Sequence, residues 1–186
     1  MSPTEPFRVA VIGAGAWGTA LAAVARRAGH AVTLQAHEPE VAAAINDRQE
    51  NPLYLPGIAL DPTIRATADP ADAAAGATMV LLVAPAQHLR AVCGGLARAV
   101  APGTPLVVCA KGIEIGTGLL MSDLVAQVLP GHPVAVLSGP TFAIEVARQQ
   151  PTAVTLACAD AARGATLAAA LNTRAFRVYR GSDVTG

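Results

Sequence analysis

Residues 7–22, FRVAVIGAGAWGTALA, pass from a short apolar run through a glycine-rich turn into an alanine-rich segment, and few folds accommodate that order. Gly13, Gly15 and Gly18 fill the pattern GxGxxG. Between a strand and a helix each has its own task. Gly13 permits the tight turn out of the strand, Gly15 lets the backbone approach a pyrophosphate, and Gly18 lets the helix lie close against the strand. The helix expected over 16–28 turns its unpaired amides and the positive end of its dipole toward the loop, where a diphosphate is the natural guest. With 17 glycines in 186 residues, three at these spacings arise by chance in about one such chain in seven, so context decides. The segment 9–12 is apolar and uncharged, and no glycine follows Gly18 until Gly29. Both fit a buried strand feeding a nucleotide-binding helix.

The same alternation continues along the chain. Strand-like runs occur at 9–12, 31–36, 63–67, 78–84, 106–110, 134–138, 152–157 and 176–179. Helical patterns fall at 16–28, 39–48, 86–100, 118–129, 141–149 and 160–171, with Asp160 placed to cap the last and Pro39 and Pro70 near helix starts. This predicts one α/β domain over 1–186, a doubly wound, mostly parallel, Rossmann-like sheet. The one long irregular stretch, 50–62, contains three prolines and reads as an extended ordered loop.

Composition narrows the function. Lys and Arg number 13 and Asp and Glu 13; no basic run exceeds Arg26–Arg27, so a nucleic-acid partner is not expected. Cys93, Cys109 and Cys158 are odd in number and sit in apolar segments, and the four histidines make no HxH or HxxxH pattern; neither a disulfide framework nor a metal site is expected. The uncharged run 9–25 is short for a membrane span, and MSPTEPFR ahead of it sets Glu5 against Arg8 where a signal peptide would carry a positive cluster. No membrane span and a cytoplasmic location are expected. A homodimer is left open.

In such a sheet ligands bind beyond the carboxyl ends of the strands. The chemically distinctive residues fall there: the glycine loop, His37, Pro85, Lys111, and Ser138-Gly139-Pro140. Lys111 ends a buried run and suits polarisation of a carbonyl oxygen better than mere solvation. His37 occupies the end of the second strand, where an acid typically holds the ribose hydroxyls of NAD, and Glu38 follows it. A histidine there can lie against adenine or approach a 2′-phosphate, whereas an inward Glu38 would repel that phosphate; an exposed pair at a helix start is the plain alternative. Trp17, the single tryptophan, either packs the core or faces the cofactor. Thr141 suits a helix N-cap as well as a ligand contact, and Tyr54 either closes over the cofactor or staples its loop to the sheet.

Six segments carry a resemblance to a known family: GAGAWGTALA at 13–22, NPLYLP at 51–56, KGIEIGTG at 111–118, LSGPTFAIEVA at 137–147, PTAV at 151–154 and FRVYRGSDVTG at 176–186. The chain resembles the bacterial-type NAD(P)-dependent glycerol-3-phosphate dehydrogenases along its whole length. The resemblance implies reduction of dihydroxyacetone phosphate to sn-glycerol 3-phosphate with NADPH or NADH, feeding phospholipid synthesis. It further implies that Ala16, Trp17, His37, Lys111 and Ala143 contact the cofactor and that Lys111, Gly139 and Thr141 lie near the substrate. In the family an all-helical domain follows the DVxG motif and brings the proton-donor lysine and the grip on the substrate phosphate, so both are expected beyond Gly186. Thr141 stands where serine is usual, Ala84-Pro85-Ala86 where valine, proline and serine are usual, and Gln35 where tryptophan is common. The alternatives are a non-catalytic dinucleotide-binding or sensing module, or a related hydroxyacid or 6-phosphogluconate dehydrogenase.

Overall fold

The structure, a computed structural model, describes residues 6–185; Glu5 and Gly186, both used in the sequence reading, lie outside the described residues. The chain runs β1 (Arg8–Ile12), α1 (Ala16–Arg27), β2 (Ala31–Gln35), α2 (Pro39–Arg48), β3 (Arg65–Thr67), α3 (Pro70–Ala74) and β4 (Met79–Leu82). It continues with α4 (Leu89–Leu96), β5 (Leu106–Val108), α5 (Met121–Val128), β6 (Val134–Ser138), α6 (Ala143–Ala147), β7 (Thr152–Cys158), α7 (Ala161–Leu171) and β8 (Phe176–Gly181). The eight strands are those expected from the sequence, with ends moved by at most two residues. Strands covered on both faces must be apolar throughout, and β4, MVLL, is buried at every position.

One sheet holds them in the order β3-β2-β1-β4-β5-β6-β7-β8. β1 lies between β2 and β4, with Val9 opposite Val32 on one side and Met79 on the other. Successive residues of β1 therefore face different layers. Val9 and Val11 join a core with Leu21, Leu34, Leu156 and Phe176, while Ala10 and Ile12 join a second core with Val80, Leu89 and Leu124. Helices on both faces make the sheet doubly wound.

β7 departs from the parallel pattern, running antiparallel to β6 with Ser138 opposite Thr155. The chain turns back at the carboxyl ends of the parallel strands, and β7 starts from there.

The helices differ more from expectation. Residues 86–100 do not form a single helix: a 3-10 turn at Ala86–His88 leads into α4, which stops at Leu96. α5 starts at Met121 and not at 118, because Gly116 and Gly118 adopt positive φ that a helix cannot contain. α3 begins at Pro70, which the sequence marks as near a helix start without giving the helix a span; Asp69 caps it by accepting from the Ala71 N–H at 2.8 Å. Asp160 caps α7 as expected, accepting from the Arg163 N–H at 3.0 Å. Among the described residues no helix is long and apolar enough to cross a membrane.

Candidate functional site

The glycine loop has the geometry its spacing demands. Gly13 has φ +112°, and a Cβ there would sit 3.1 Å from the Ala84 nitrogen and the Val83 carbonyl carbon. At Gly18 a Cβ would fall 1.8 Å from the Gly13 carbonyl oxygen, so α1 rests directly on the loop's own backbone. Gly15 is different: nothing lies within 4 Å of where its Cβ would be. The protein itself does not need glycine at that point, which fits a position kept bare for an incoming group. Gly15 is the N-cap of α1 with no side-chain cap, and the ladder starts with Thr19 N–H donating to the Gly15 carbonyl at 2.9 Å. The amides of residues 16–18 precede that ladder, and the first turn carries no acidic side chain.

Asn51 braces this loop, and the sequence reading did not include it. It is fully buried, and its Nδ2 donates to the Ala14 carbonyl and to Thr19 Oγ1, both at 2.8 Å. Its Oδ1 accepts from the Tyr54 N–H at 3.1 Å. The proline-rich loop is thereby tied to the fingerprint. Tyr54 extends the tie, donating from its hydroxyl to Glu38 Oε1 at 2.7 Å, so it staples the loop to the β2–α2 turn. That bond is the leading cause holding the Glu38 carboxyl below the usual carboxylate range. His37 is exposed beside it. It does not end the strand: the ladder closes one residue earlier, with Ala36 N–H donating to the Thr67 carbonyl.

Across the sheet, Lys111 lies three residues past β5 and is exposed, not embedded at a strand end. Its Nζ donates to the Gly139 carbonyl at 3.1 Å. Gly139 is required locally, since a Cβ would approach Val154 Cγ1 to 2.8 Å and the Ala153 carbonyl to 3.0 Å. Thr141 does not cap α6. Its N–H turns back to the Gly139 carbonyl at 3.1 Å, which delays the helix, and Phe142 takes the N-cap position. The Thr141 hydroxyl is buried with no hydrogen-bond partner. Such an orphan has a desolvation cost unless a ligand supplies a partner.

These groups meet. A cavity of about 280 Å³ is lined by Trp17, Lys111, Gly139, Thr141 and Ala143, together with Cys109, Leu137, Ser138 and Phe142. Six of the site residues singled out from sequence, Ser138 included, thus line one space. Trp17 stands between the two readings given for it: it packs on the core side with Phe176, ring centroids 6.5 Å apart, and also lines the cavity. Arg27 fixes α6 to α1 by donating to the Val146 and Ala147 carbonyls at 3.3 and 2.8 Å. Burial drives the Cys109 thiol well above its usual range, which leaves it neutral and unreactive. His37 and Pro85 follow the carboxyl ends of β2 and β4, and Tyr54 reaches the turn after β2 through its bond to Glu38; none of the three lines this cavity. Among the described residues, no cluster of three or more His, Cys, Asp or Glu is arranged to hold a metal.

The Lys111 loop has its own clamp. Arg90 meets Glu114 through two parallel bonds of 2.8 Å, and Gln87 brackets the loop by donating to the Ile113 carbonyl and accepting from the Ile115 N–H, both at 2.9 Å. No local spacing advertises a pair 24 residues apart. The Arg90 guanidinium and the Thr117 hydroxyl hold the Glu114 carboxyl down to about 2. A folded value below the unfolded 4.5 contributes stability that is present above the unfolded value and lost as pH falls toward the folded one. Glu114→Gln is therefore expected to lower Tm at neutral pH, and the gap from the unsubstituted chain should close between about pH 5 and pH 2. Melting curves across that range check it; a gap independent of pH would remove the ion pair as the cause.

Comparison with known proteins places this geometry among its relatives. The family described as NAD-dependent glycerol-3-phosphate dehydrogenase N-terminus matches residues 8–174. The chain is 58% identical over 179 residues to the glycerol-3-phosphate dehydrogenase [NAD(P)+] of Caulobacter vibrioides, covering 96% of this chain and 54% of that protein. It is 60% identical to the protein of the same name from Rhodospirillum rubrum, covering 96% of this chain and 51% of that one. The crystal structure of glycerol-3-phosphate dehydrogenase from Coxiella burnetii superposes with a TM-score of 0.90 at 34% identity, over 96% of this chain and 55% of that one. The chain spans about half the length of the curated relatives it matches.

Proposed function

This chain belongs to the NAD-dependent glycerol-3-phosphate dehydrogenase family through its N-terminal domain, and from that premise we propose that it binds NADPH or NADH and forms the cofactor half of an enzyme that reduces dihydroxyacetone phosphate to sn-glycerol 3-phosphate. The observation that carries the reading is the convergence of Trp17 from the glycine fingerprint, Lys111 and Thr141, with its orphan hydroxyl, on one cavity. The dinucleotide, when bound, supplies a hydride. This chain's own groups do the rest of what it can do. The amides of residues 16–18 and the bare Gly15 receive the pyrophosphate. Trp17 and Ala143 wall the cavity against water, and His37 lies toward the adenosine.

Lys111 is already within hydrogen-bond reach of a carbonyl oxygen, that of Gly139, and its ammonium serves to orient and polarise a substrate oxygen on which charge develops. Thr141 donates to a ligand acceptor and so satisfies its buried hydroxyl. The proton donor and the phosphate grip belong, on this reading, to a helical domain of the longer enzyme. A cytoplasmic location, small-molecule partners and supply of glycerol phosphate to phospholipid synthesis follow from the same reading.

Trp17 provides the test, since it is the one tryptophan and lines the cavity. NADPH and NADH titrations should each quench its emission saturably. Failure of both to saturate by about 1 mM, an affinity of roughly −4 kcal/mol, would overturn the dinucleotide reading.

A further inference from the structure

Glu38 sits 20 residues after Gly18, on the turn that leaves β2, the region where an acidic side chain accepts the ribose hydroxyls of NAD and repels a 2′-phosphate. It is the first acid after that strand, because Gln35, Ala36 and His37 precede it. The buried Ala36 contributes no charge at the end of the ladder. Whether this chain tolerates a 2′-phosphate therefore depends on what Glu38 is doing. One of its oxygens is taken: Tyr54 donates to Oε1 at 2.7 Å. Tyr54 is in turn fixed through its N–H to Asn51, and Asn51 to the Ala14 carbonyl of the glycine loop. One hydrogen-bonded line thus runs from the pyrophosphate-binding turn to the acid beside the ribose.

We infer that Tyr54 is a specificity-determining residue, which sets the balance between NADPH and NADH by holding the Glu38 carboxylate to the proline-rich loop. The inference rests on the dinucleotide reading above. While held, the Glu38 carboxylate is restrained from turning to the ribose, so a 2′-phosphate and a 2′-hydroxyl are both accepted. Released, the carboxylate is free to turn, two residues past the end of the ladder. There it accepts from a 2′-hydroxyl and repels a 2′-phosphate, and the balance moves toward NADH. Neither side chain supports the core: Tyr54 is 39% exposed and Glu38 only half-buried, and phenylalanine keeps the ring.

The experiment measures Kd for NADPH and for NADH by Trp17 quenching in the unsubstituted chain, Tyr54→Phe, Glu38→Gln and the double variant, with Tm recorded for each. Tyr54→Phe should raise the ratio of the NADPH to the NADH dissociation constant about tenfold, the size of one charged hydrogen bond. In the Glu38→Gln background the same change should leave the ratio within about twofold. A ratio unmoved by Tyr54→Phe, or moved equally whether or not Glu38 is charged, overturns the inference while leaving dinucleotide binding intact. Saturation of the unsubstituted chain by neither cofactor overturns the underlying reading and this inference with it.

Discussion

Gly18→Ala is expected to destabilise the fold by about 3 kcal/mol or more and to abolish dinucleotide binding. The added Cβ would sit 1.8 Å from the Gly13 oxygen and 3.0 Å from its carbon. Both are backbone atoms, so no side chain can rotate away, and relief requires sliding α1 off the loop or pulling the loop off Val83 and Ala84. Overpacking in a close-packed interior typically costs 1–3 kcal/mol, and rigid neighbours put this case at the upper end. Gly15→Ala is the control. With open space around its Cβ and a φ of −63°, its stability should change by less than about 1 kcal/mol, the usual scale of an N-cap exchange, while affinity for NADPH and NADH falls. Denaturant melts and Trp17 titrations on both variants separate the two roles. Equal melts for Gly18→Ala and the unsubstituted chain would show that the helix can move away freely.

Turnover should separate from binding just as sharply. Residues 1–186 alone are expected to bind cofactor yet reduce dihydroxyacetone phosphate at least about 100-fold to 10,000-fold more slowly than a chain extended through the helical domain proposed above. That is the usual worth of a general acid, before substrate positioning is counted. In the extended chain Lys111→Ala should lower kcat/KM by about 100-fold or more, the scale of losing one charge-stabilising donor. Its Tm should barely move, since Lys111 is exposed and its named bond is to the Gly139 carbonyl. Steady-state rates with NADPH oxidation followed optically decide the matter. Fast turnover by the 186-residue chain would place the proton donor within it and make Lys111 the leading candidate.

Much of this was legible in the sequence because parallel strands buried on both faces must be written as unbroken apolar runs; β4 and β5 are nothing else. The roles of Gly13 and Gly18 could be read from spacing alone, since each is dictated by backbone geometry. What escaped was set by distance and by local turns. The apolar run of β7 does not show which way the strand points, and α6 starts later than residue 141 because of the turn that Thr141 makes with Gly139, a bond no residue pattern announces. The Asn51 brace was hidden because asparagine in a proline-rich loop reads as an ordinary turn residue. The pairing of Tyr54 with Glu38 and the clamp of Arg90 on Glu114 join residues that only the folded sheet brings together. The sequence marks the position of Lys111 beyond β5 but not its exposure, which follows from its lying three residues past the strand.

The central place of β1 has a consequence for biosynthesis. The fingerprint leaves the ribosome well before β4, yet it cannot take its working shape by itself. β1 pairs with β4 across 70 residues of sequence, Val9 against Met79, and Gly13 is packed by the backbone of Val83 and Ala84. An emerging chain therefore carries an exposed, glycine-broken apolar stretch until β4 has been made and docked. Such long-range parallel pairing is slow, and the waiting strand is open to wrong partners. The fingerprint must be shielded until its partner strand is made, and competence to hold a nucleotide arrives only when residues near 84 are in place.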